Sequence, residues 1–86
     1  MPVPRFTLYV KPGCGWCDDA VEWLDSRGYA YDEIDVFSDP AAFAEMRRLS
    51  NQTRCPTLIA GEDILPDFDA GQLERFLKER GWLAAT

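Results

Sequence analysis

The sequence predicts a single α/β domain, with a four-stranded mixed sheet and three helices in the order β-α-β-α-β-β-α. Short apolar and β-branched runs alternate with longer segments in which apolar residues recur every three or four positions. Glycine, proline and aspartate separate these segments. Because strand-helix-strand connections favour parallel pairing and short connections antiparallel pairing, we expect a mixed sheet. A chain of 86 residues has the length of one small domain, so we assign residues 1–86 to it.

The first strand and the first helix surround a pair of cysteines. Residues 6–10 (FTLYV) are rich in aromatic and β-branched side chains and predict a strand buried on both faces. From Cys14 onward the pattern is helical, with one apolar stripe made of Cys17, Ala20, Val21 and Leu24. Gly28 is placed to end this helix, because glycine readily adopts the left-handed conformation that follows a helix.

The second strand and the second helix come next. Residues 29–36 alternate between two faces and predict a half-exposed strand at a sheet edge. Asp39 and Pro40 predict a helix start, as an N-cap residue followed by proline at the first helical position. This helix is expected to run to about Leu49.

The last third of the chain predicts a hairpin and a helix. Residues 56–60 (PTLIA) form a short apolar strand, and a turn leads from it to a brief fourth strand around residues 64–65. Asp69 and Gln72 have the spacing of a capping box, which predicts the start of the third helix. Gly81 is expected to end that helix.

Composition and charge exclude several classes of function. The formal net charge of −6 argues against nucleic acid as the main partner, because phosphate binding needs a basic surface. No apolar run approaches the roughly 20 residues of a membrane-spanning helix, and residues 1–5 (MPVPR) lack the apolar region of a signal peptide. We therefore expect a cytoplasmic monomer that binds neither nucleic acid nor membranes.

The functional prediction depends on Cys14 and Cys17, in the stretch CGWC. Two thiols at this spacing at a helix start can open and close as a disulfide. The partly positive helix N-terminus favours a thiolate on Cys14, so Cys14 is predicted to attack and Cys17 to resolve the mixed disulfide. One alternative is a zinc site, which needs four ligands where the chain has three cysteines and no histidine. The other is a structural disulfide, but so short a loop would constrain the unfolded chain little.

With a proline-containing strand further on, the dithiol gives the chain a resemblance to the glutaredoxins, which have a thioredoxin-like fold. The resemblance covers nearly the whole chain. It is carried most strongly by residues 9–17 (YVKPGCGWC) and 53–57 (TRCPT). It implies that Cys14 is the nucleophile and Cys17 the resolving cysteine.

The resemblance also implies a set of glutathione contacts. The Cys55–Pro56 peptide bond is expected to be cis and to lie against the dithiol, with the Cys55 backbone pairing with the cysteine portion of glutathione. Lys11 is expected to meet the glycine carboxylate of glutathione, and Trp16 to shape the groove. The full set of predicted glutathione-binding residues is Lys11, Trp16, Thr53, Arg54, Cys55, Pro56, Asp67 and Asp69.

A basic stretch after the second helix supports an anionic ligand. Residues 47–54 contain three arginines and no acidic residue. Guanidinium groups suit the two carboxylates of glutathione, and Gln52 and Thr53 add hydrogen-bond donors. For Arg47 and Arg48 the alternative is that they complement the C-terminus of the helix.

Two departures from the family pattern bear on this prediction. Glutaredoxins often have a Gly-Gly turn at the start of the last helix, where they grip the γ-glutamyl end of glutathione, whereas residues 65–70 read LPDFDA. Asp67 and Asp69 are the nearest substitutes, and Asp69 equally suits a plain helix cap. The residue before the proline is usually valine and here is Cys55. It is either a small buried apolar residue or a third thiol, able to pair with Cys14 or to join a metal.

The favoured function is glutathione-dependent reduction of protein disulfides and glutathionylated thiols, with no tightly bound cofactor and no metal site. One alternative is a redoxin reduced by thioredoxin reductase, which the missing glycines leave open. Another is a carrier of a [2Fe–2S] cluster held between two subunits, with glutathione completing the sulfur ligands. Gly15 permits this alternative, because cluster-binding members of the family have a small residue after the first cysteine.

Overall fold

The computed structural model describes residues 3–83 and has the predicted order of elements. The elements are β1 (Phe6–Val10), α1 (Gly15–Ser26), β2 (Tyr31–Asp35), α2 (Pro40–Ser50), β3 (Thr57–Ala60), β4 (Asp63–Pro66) and α3 (Ala70–Glu79). The strands lie in the order β2-β1-β3-β4, with β1 parallel to β2 and the other two pairs antiparallel. The predicted fold class is confirmed, and so is the place of β2 at an edge of the sheet.

The second strand begins two residues later than the sequence predicts. The Tyr29 N–H donates to the Leu24 carbonyl at 3.1 Å, so Tyr29 belongs to the turn that ends α1. Gly28 precedes it with a φ of +73°, the left-handed conformation predicted for a glycine after a helix. At the other end, the Val36 N–H reaches the Val10 carbonyl at 3.0 Å and extends the pairing of β1 with β2.

Side chains define where the helices begin. Cys14 caps α1, Asp39 caps α2 and Asp69 caps α3, each in an extended backbone conformation. In α2 the Asp39 carboxylate accepts the Ala42 N–H at 3.1 Å, and Pro40 occupies the first helical position as predicted. The first N–H groups of a helix have no partner inside it, so these caps satisfy donors that the helix leaves unpaired.

The core lies between the sheet and the helices and is built around β1. Four of the five β1 residues are buried, as predicted for a central strand. The largest fully buried apolar side chains include Phe6, Leu8, Leu24, Met46, Leu58, Phe68, Leu73 and Leu77. Trp82 packs against Phe6 and Phe76 at ring-centroid distances of 6.1 and 6.4 Å, which ties the segment after α3 to the core. Within residues 3–83, no helix combines the length and apolar character that crossing a bilayer requires.

Candidate active site

Cys14 stands between β1 and α1, immediately before the first helical residue. Its backbone is extended (φ −103°, ψ 109°), and its sulfur accepts a hydrogen bond from the Cys17 N–H at 3.2 Å. This contact is a helix N-cap in which sulfur replaces the usual oxygen. The Cys17 N–H and the positive end of the α1 dipole both point toward this sulfur. Cys14 is partly exposed and Cys17 only 2% exposed, so a disulfide arriving from solvent meets Cys14 first.

Cys17 lies one turn along α1, on the face that meets the core. Burial, together with a hydrogen bond to the Cys14 side chain, raises the pKa of the Cys17 thiol to about 12. A backbone hydrogen bond from Lys11 opposes this shift and is weaker. Because only the thiolate attacks a disulfide, the buried Cys17 thiol is the less suited of the two to make the first attack, in line with its predicted resolving role.

The peptide bond between Cys55 and Pro56 is cis, as the resemblance implied. The Cys55 carbonyl accepts a hydrogen bond from the Cys14 sulfur at 3.8 Å, so the loop before β3 lies directly against the dithiol. Pro56 is almost completely buried. Two stretches far apart in the chain therefore lie against each other, as the resemblance implied.

The side chain of Gln52 holds this loop in place. Its amide nitrogen donates to Ser50 Oγ at 2.8 Å and to Thr57 Oγ1 at 2.9 Å. Its oxygen accepts the Arg54 N–H at 2.6 Å. The prediction that Gln52 offers donors to a ligand is wrong, because both of its amide hydrogens are already used within the loop. Thr53, in contrast, is exposed.

A cleft of about 390 Å³ opens beside the loop and exposes part of the predicted glutathione surface. Its lining is Lys11, Val36, Phe37, Pro40, Phe43, Thr53 and Cys55. The structure thus brings three of the predicted glutathione residues together. Lys11 forms no ion pair with any residue between 3 and 83, so its ammonium group is available to an incoming carboxylate.

Phe37 is a cleft residue that the sequence analysis did not identify. It is 81% exposed, the largest exposure recorded for a bulky apolar side chain in residues 3–83. It follows β2 in the loop that leads to α2, and its N–H donates to the Asp35 carboxylate at 2.8 Å. A single aromatic residue at the end of a strand resembles a core residue in any pattern of apolar spacing. Only the fold reveals that this one faces solvent.

Trp16, Arg54 and Asp67 are predicted glutathione residues that do not line this cleft. Trp16 is 47% exposed at the second position of α1. Arg54 forms an ion pair with Asp67 at 3.6 Å, which joins the loop before β3 to the corner between β4 and α3. Asp67 is left-handed (φ +49°), and its N–H donates to the Pro56 carbonyl at 2.9 Å. The corner that replaces the family's Gly-Gly turn is therefore anchored to the active-site proline.

Asp69 forms a complete capping box at the start of α3. Its carboxylate accepts the Gln72 N–H at 2.8 Å, and the Gln72 side-chain oxygen accepts the Asp69 N–H at 2.9 Å. The capping role that the sequence left open is confirmed. One carboxylate oxygen is therefore already bound to the helix. The role of Asp69 as a glutathione contact stays a prediction.

The arginine stretch divides between helix and loop. Arg47 and Arg48 lie in the last turn of α2, where a cation complements the helix dipole. Arg48 is paired with Glu45, one turn earlier. Arg54 is the member of the stretch that immediately precedes Cys55 in the loop before β3.

Cys55 is 6% exposed, and its sulfur lies 3.8 Å from Met46 Sδ. The interpretation of Cys55 as a buried side chain is confirmed. The alternative in which it joins a metal has no support among residues 3–83, which contain no cluster of three or more cysteine or carboxylate side chains able to hold an ion.

Comparison with known proteins finds similarity to glutaredoxins and to thioredoxin-like proteins. The glutaredoxin family model matches residues 6–65. A glutaredoxin of Neisseria meningitidis serogroup A is 38% identical over 76 residues, which cover 87% of each chain. The crystal structure of the thioredoxin-like protein BC3987 superposes with a TM-score of 0.77 at 26% identity, covering 85% of this chain and 100% of that one. NrdH-redoxin from Escherichia coli, a glutaredoxin-like protein with a thioredoxin-like activity profile, superposes with a TM-score of 0.69 at 28% identity, covering 83% and 92%.

Proposed function

The chain belongs to the glutaredoxin family, and from this premise we propose that it is a glutathione-dependent oxidoreductase acting on protein disulfides and glutathionylated thiols. The observation that carries the chemistry is the Cys14 sulfur, which caps α1, is open to solvent and faces the Cys55 carbonyl. A thiolate there attacks one sulfur of a substrate disulfide, forms a mixed disulfide and releases the other sulfur as a thiolate.

The mixed disulfide is resolved by one of two routes. In the dithiol route Cys17 loses its proton and attacks the Cys14 sulfur. The substrate leaves as a thiolate, and the Cys14–Cys17 disulfide remains for reduction by two molecules of glutathione. In the monothiol route Cys14 carries glutathione, and a second glutathione thiolate attacks that sulfur to give glutathione disulfide and the free Cys14 thiolate.

The case for glutathione as the reductant rests on charge and shape. Glutathione carries two carboxylates, and the cleft lined by Cys55 presents Lys11 without an ion-pair partner in the described chain. Arg54 lies on the same loop as Cys55, and its side chain is 77% exposed. In a protein with net charge −6, Lys11 in the cleft and Arg54 on the adjoining loop would attract the two carboxylates of glutathione.

A second candidate is a redoxin that takes its electrons from thioredoxin reductase. Two observations favour it. NrdH-redoxin, at 28% identity over most of both chains, has a thioredoxin-like activity profile. In this chain the helix end expected to receive the γ-glutamyl group is closed by Asp69 and Gln72.

The two candidates are separated by two coupled assays run in parallel on the wild-type protein. One assay supplies glutathione and glutathione reductase with a small glutathione mixed disulfide, and the other supplies thioredoxin reductase with a protein disulfide. We expect turnover in the first assay to exceed that in the second. Lys11→Gln should raise the KM for the mixed disulfide, while Lys78→Gln, on α3 away from the cleft, serves as the charge-matched control. Turnover only with thioredoxin reductase would refute the glutathione proposal and establish the second candidate.

A further inference from the structure

Both backbone polar groups of Arg54, the residue before Cys55, depend on the side chain of Gln52. The Arg54 N–H donates to the Gln52 side-chain oxygen at 2.6 Å. The Arg54 carbonyl accepts the Thr57 hydroxyl at 2.8 Å, and the oxygen of that hydroxyl accepts the Gln52 amide at 2.9 Å. Thr57 is fully buried, so water has no access to replace these partners. One side chain therefore fixes the residue that leads into Cys55.

The neighbouring hydroxyl groups determine which way the Gln52 amide points. The Thr57 hydroxyl donates its hydrogen to the Arg54 carbonyl, and the Ser50 hydroxyl donates to the Met46 carbonyl at 2.6 Å. A hydroxyl has one hydrogen, so both oxygens can only accept from Gln52. The amide nitrogen must face these two hydroxyls, and the amide oxygen must face the Arg54 N–H. Only a side chain with donor and acceptor at these positions reproduces the network.

The Cys55 carbonyl lies between two anchored neighbours and faces the dithiol. On one side Arg54 is held by the Gln52 network, and on the other side the Pro56 carbonyl accepts a backbone N–H at 2.9 Å. The Cys55 carbonyl accepts the hydrogen bond that the Cys14 sulfur donates at 3.8 Å. Because a thiol is a weak donor, a small displacement of the loop is enough to break this bond.

We propose that Gln52 is a positioning residue for the dithiol, because its side chain holds the Cys55 carbonyl opposite the Cys14 sulfur. It acts through Arg54 and Thr57, to which it is hydrogen-bonded. In the resting protein it maintains the hydrogen bond that the Cys14 thiol donates. In turnover it maintains an acceptor for the substrate, and this second part rests on the proposed function.

The carbonyl changes its partner during turnover. The Cys14 thiol gives its proton to solvent, its thiolate bonds to one substrate sulfur, and the other substrate sulfur leaves as a thiolate. In the mixed disulfide Cys14 has no hydrogen left to donate. The Cys55 carbonyl is then free to accept a backbone N–H of the substrate beside the new disulfide. Gln52 thus fixes one acceptor that serves the thiol before the reaction and the substrate after it.

The first test uses the reduced protein without substrate. The S–H stretching band in the infrared spectrum moves to higher frequency when a thiol loses its hydrogen bond. Subtracting the spectrum of the matching Cys14→Ser variant isolates the Cys14 band. We expect this band to move to higher frequency in Gln52→Met, whose side chain has a similar length and no amide. A band at the wild-type frequency in Gln52→Met would overturn the proposal.

Gln72→Met is the matched control for this measurement. The Gln72 side-chain oxygen also accepts a backbone N–H, that of Asp69 at 2.9 Å, but it does so at the start of α3. The Cys14 band should therefore stay in place in Gln72→Met. An equal shift in both variants would indicate a general loosening of the fold and would contradict a positioning role for Gln52.

A second variant tests whether the effect passes through the network. Thr57→Val replaces the buried hydroxyl with a methyl group of similar size and leaves the Gln52 oxygen able to hold the Arg54 N–H. We expect a shift in the same direction, and no further shift in the double variant with Gln52→Met than in the larger single one. Additive shifts would refute the shared network. If Gln52→Met lacks a native circular dichroism spectrum, Thr57→Val alone decides, and an unshifted band there counts against the proposal.

Turnover separates the inference from the proposed function. With a glutathionylated peptide and glutathione, Gln52→Met should raise the KM about threefold to tenfold and leave kcat within about twofold, because a hydrogen bond to the substrate is lost. A shifted infrared band with an unchanged KM would overturn the substrate part of the proposal. Absence of turnover in the wild-type protein would refute the proposed function, and the infrared band would still decide whether Gln52 positions the carbonyl.

Discussion

The starts of α1 and α3 have the same N-cap geometry but differ in the chemistry of the capping atom. Each begins with a residue in extended backbone whose side chain accepts the N–H three positions later. Cys14 accepts from Cys17 at 3.2 Å, and Asp69 accepts from Gln72 at 2.8 Å. At α3 the Gln72 side-chain oxygen accepts the Asp69 N–H in return, which completes the capping box. At α1 the equivalent third residue is the buried thiol of Cys17.

The difference shows what a cap atom contributes beyond stability. A carboxylate with a reciprocal glutamine satisfies the helix end and leaves no reactive atom. A sulfur receives the same N–H and the same dipole, yet it can leave the cap and bond to another sulfur. In the proposed function Cys14 supplies the reactive atom at the start of α1, and a ligand site at the start of α3 would favour glutathione as the reductant.

The largest effect that would test the comparison comes from replacing the cap atom of α1. Cys14→Ser retains an oxygen cap and removes the nucleophile, so we expect turnover to fall by about 1000-fold or more while the thermal midpoint changes little. Cys17→Ser is the matched control, since it removes the resolving thiol and should keep reduction of glutathionylated thiols by the monothiol route. Loss of that activity in Cys17→Ser would exclude the monothiol route.

The next effect concerns the pKa of Cys17, about 12, which makes its thiolate scarce at neutral pH. With a mixed disulfide preformed on Cys14, release of the substrate by Cys17 should accelerate with pH, by up to about tenfold per unit between pH 7 and 9. Stopped-flow fluorescence of Trp16, which neighbours Cys17, would follow the release. The same mixed disulfide on Cys17→Ser should show no release without added thiol. A rate independent of pH in the wild-type protein would mean that Cys17 is ionised already.

Local patterns predicted the two helix starts well, because a cap is a relation between residues three positions apart. Cys14, Asp69 and the order of elements all follow from short-range spacing, and the structure confirms them. The surroundings of Phe37 and Gln52 could not be predicted from short-range spacing. Whether an aromatic side chain lines a cleft, or an amide hydrogen-bonds within its own loop, depends on which distant segments the sheet brings together. Glutathione binding by the predicted residues stays a prediction for the same reason.

A smaller effect tests whether Asp69 acts only as a cap. Asp69→Ala removes the acceptor of the Gln72 N–H, and we expect a loss of about 1 kcal/mol in the free energy of unfolding. In a domain of this size, about 1 kcal/mol lowers the thermal midpoint by roughly 4–8 °C. Asp69→Asn keeps the cap oxygen and should lose less than about half as much. If the KM for the glutathione substrate stays at the wild-type value in both variants, Asp69 is a cap alone. A KM above the wild-type value in both variants would assign Asp69 a glutathione contact through its charge.

The smallest effect concerns the ion pair between Arg54 and Asp67, which connects the two regions of the comparison. The charged groups lie 3.6 Å apart, with side chains 77% and 37% exposed. Exposed pairs of this kind contribute about 0–1 kcal/mol, so Arg54→Gln should change the free energy of unfolding by roughly 0.5 kcal/mol or less. Arg47→Gln, an exposed arginine in the last turn of α2, provides the control for loss of a positive charge. Chemical denaturation at low and high salt measures both variants. A loss for Arg54→Gln well above that of Arg47→Gln, and abolished by salt, would contradict the comparison, because the start of α3 would then depend on the active-site loop and not on its own capping box.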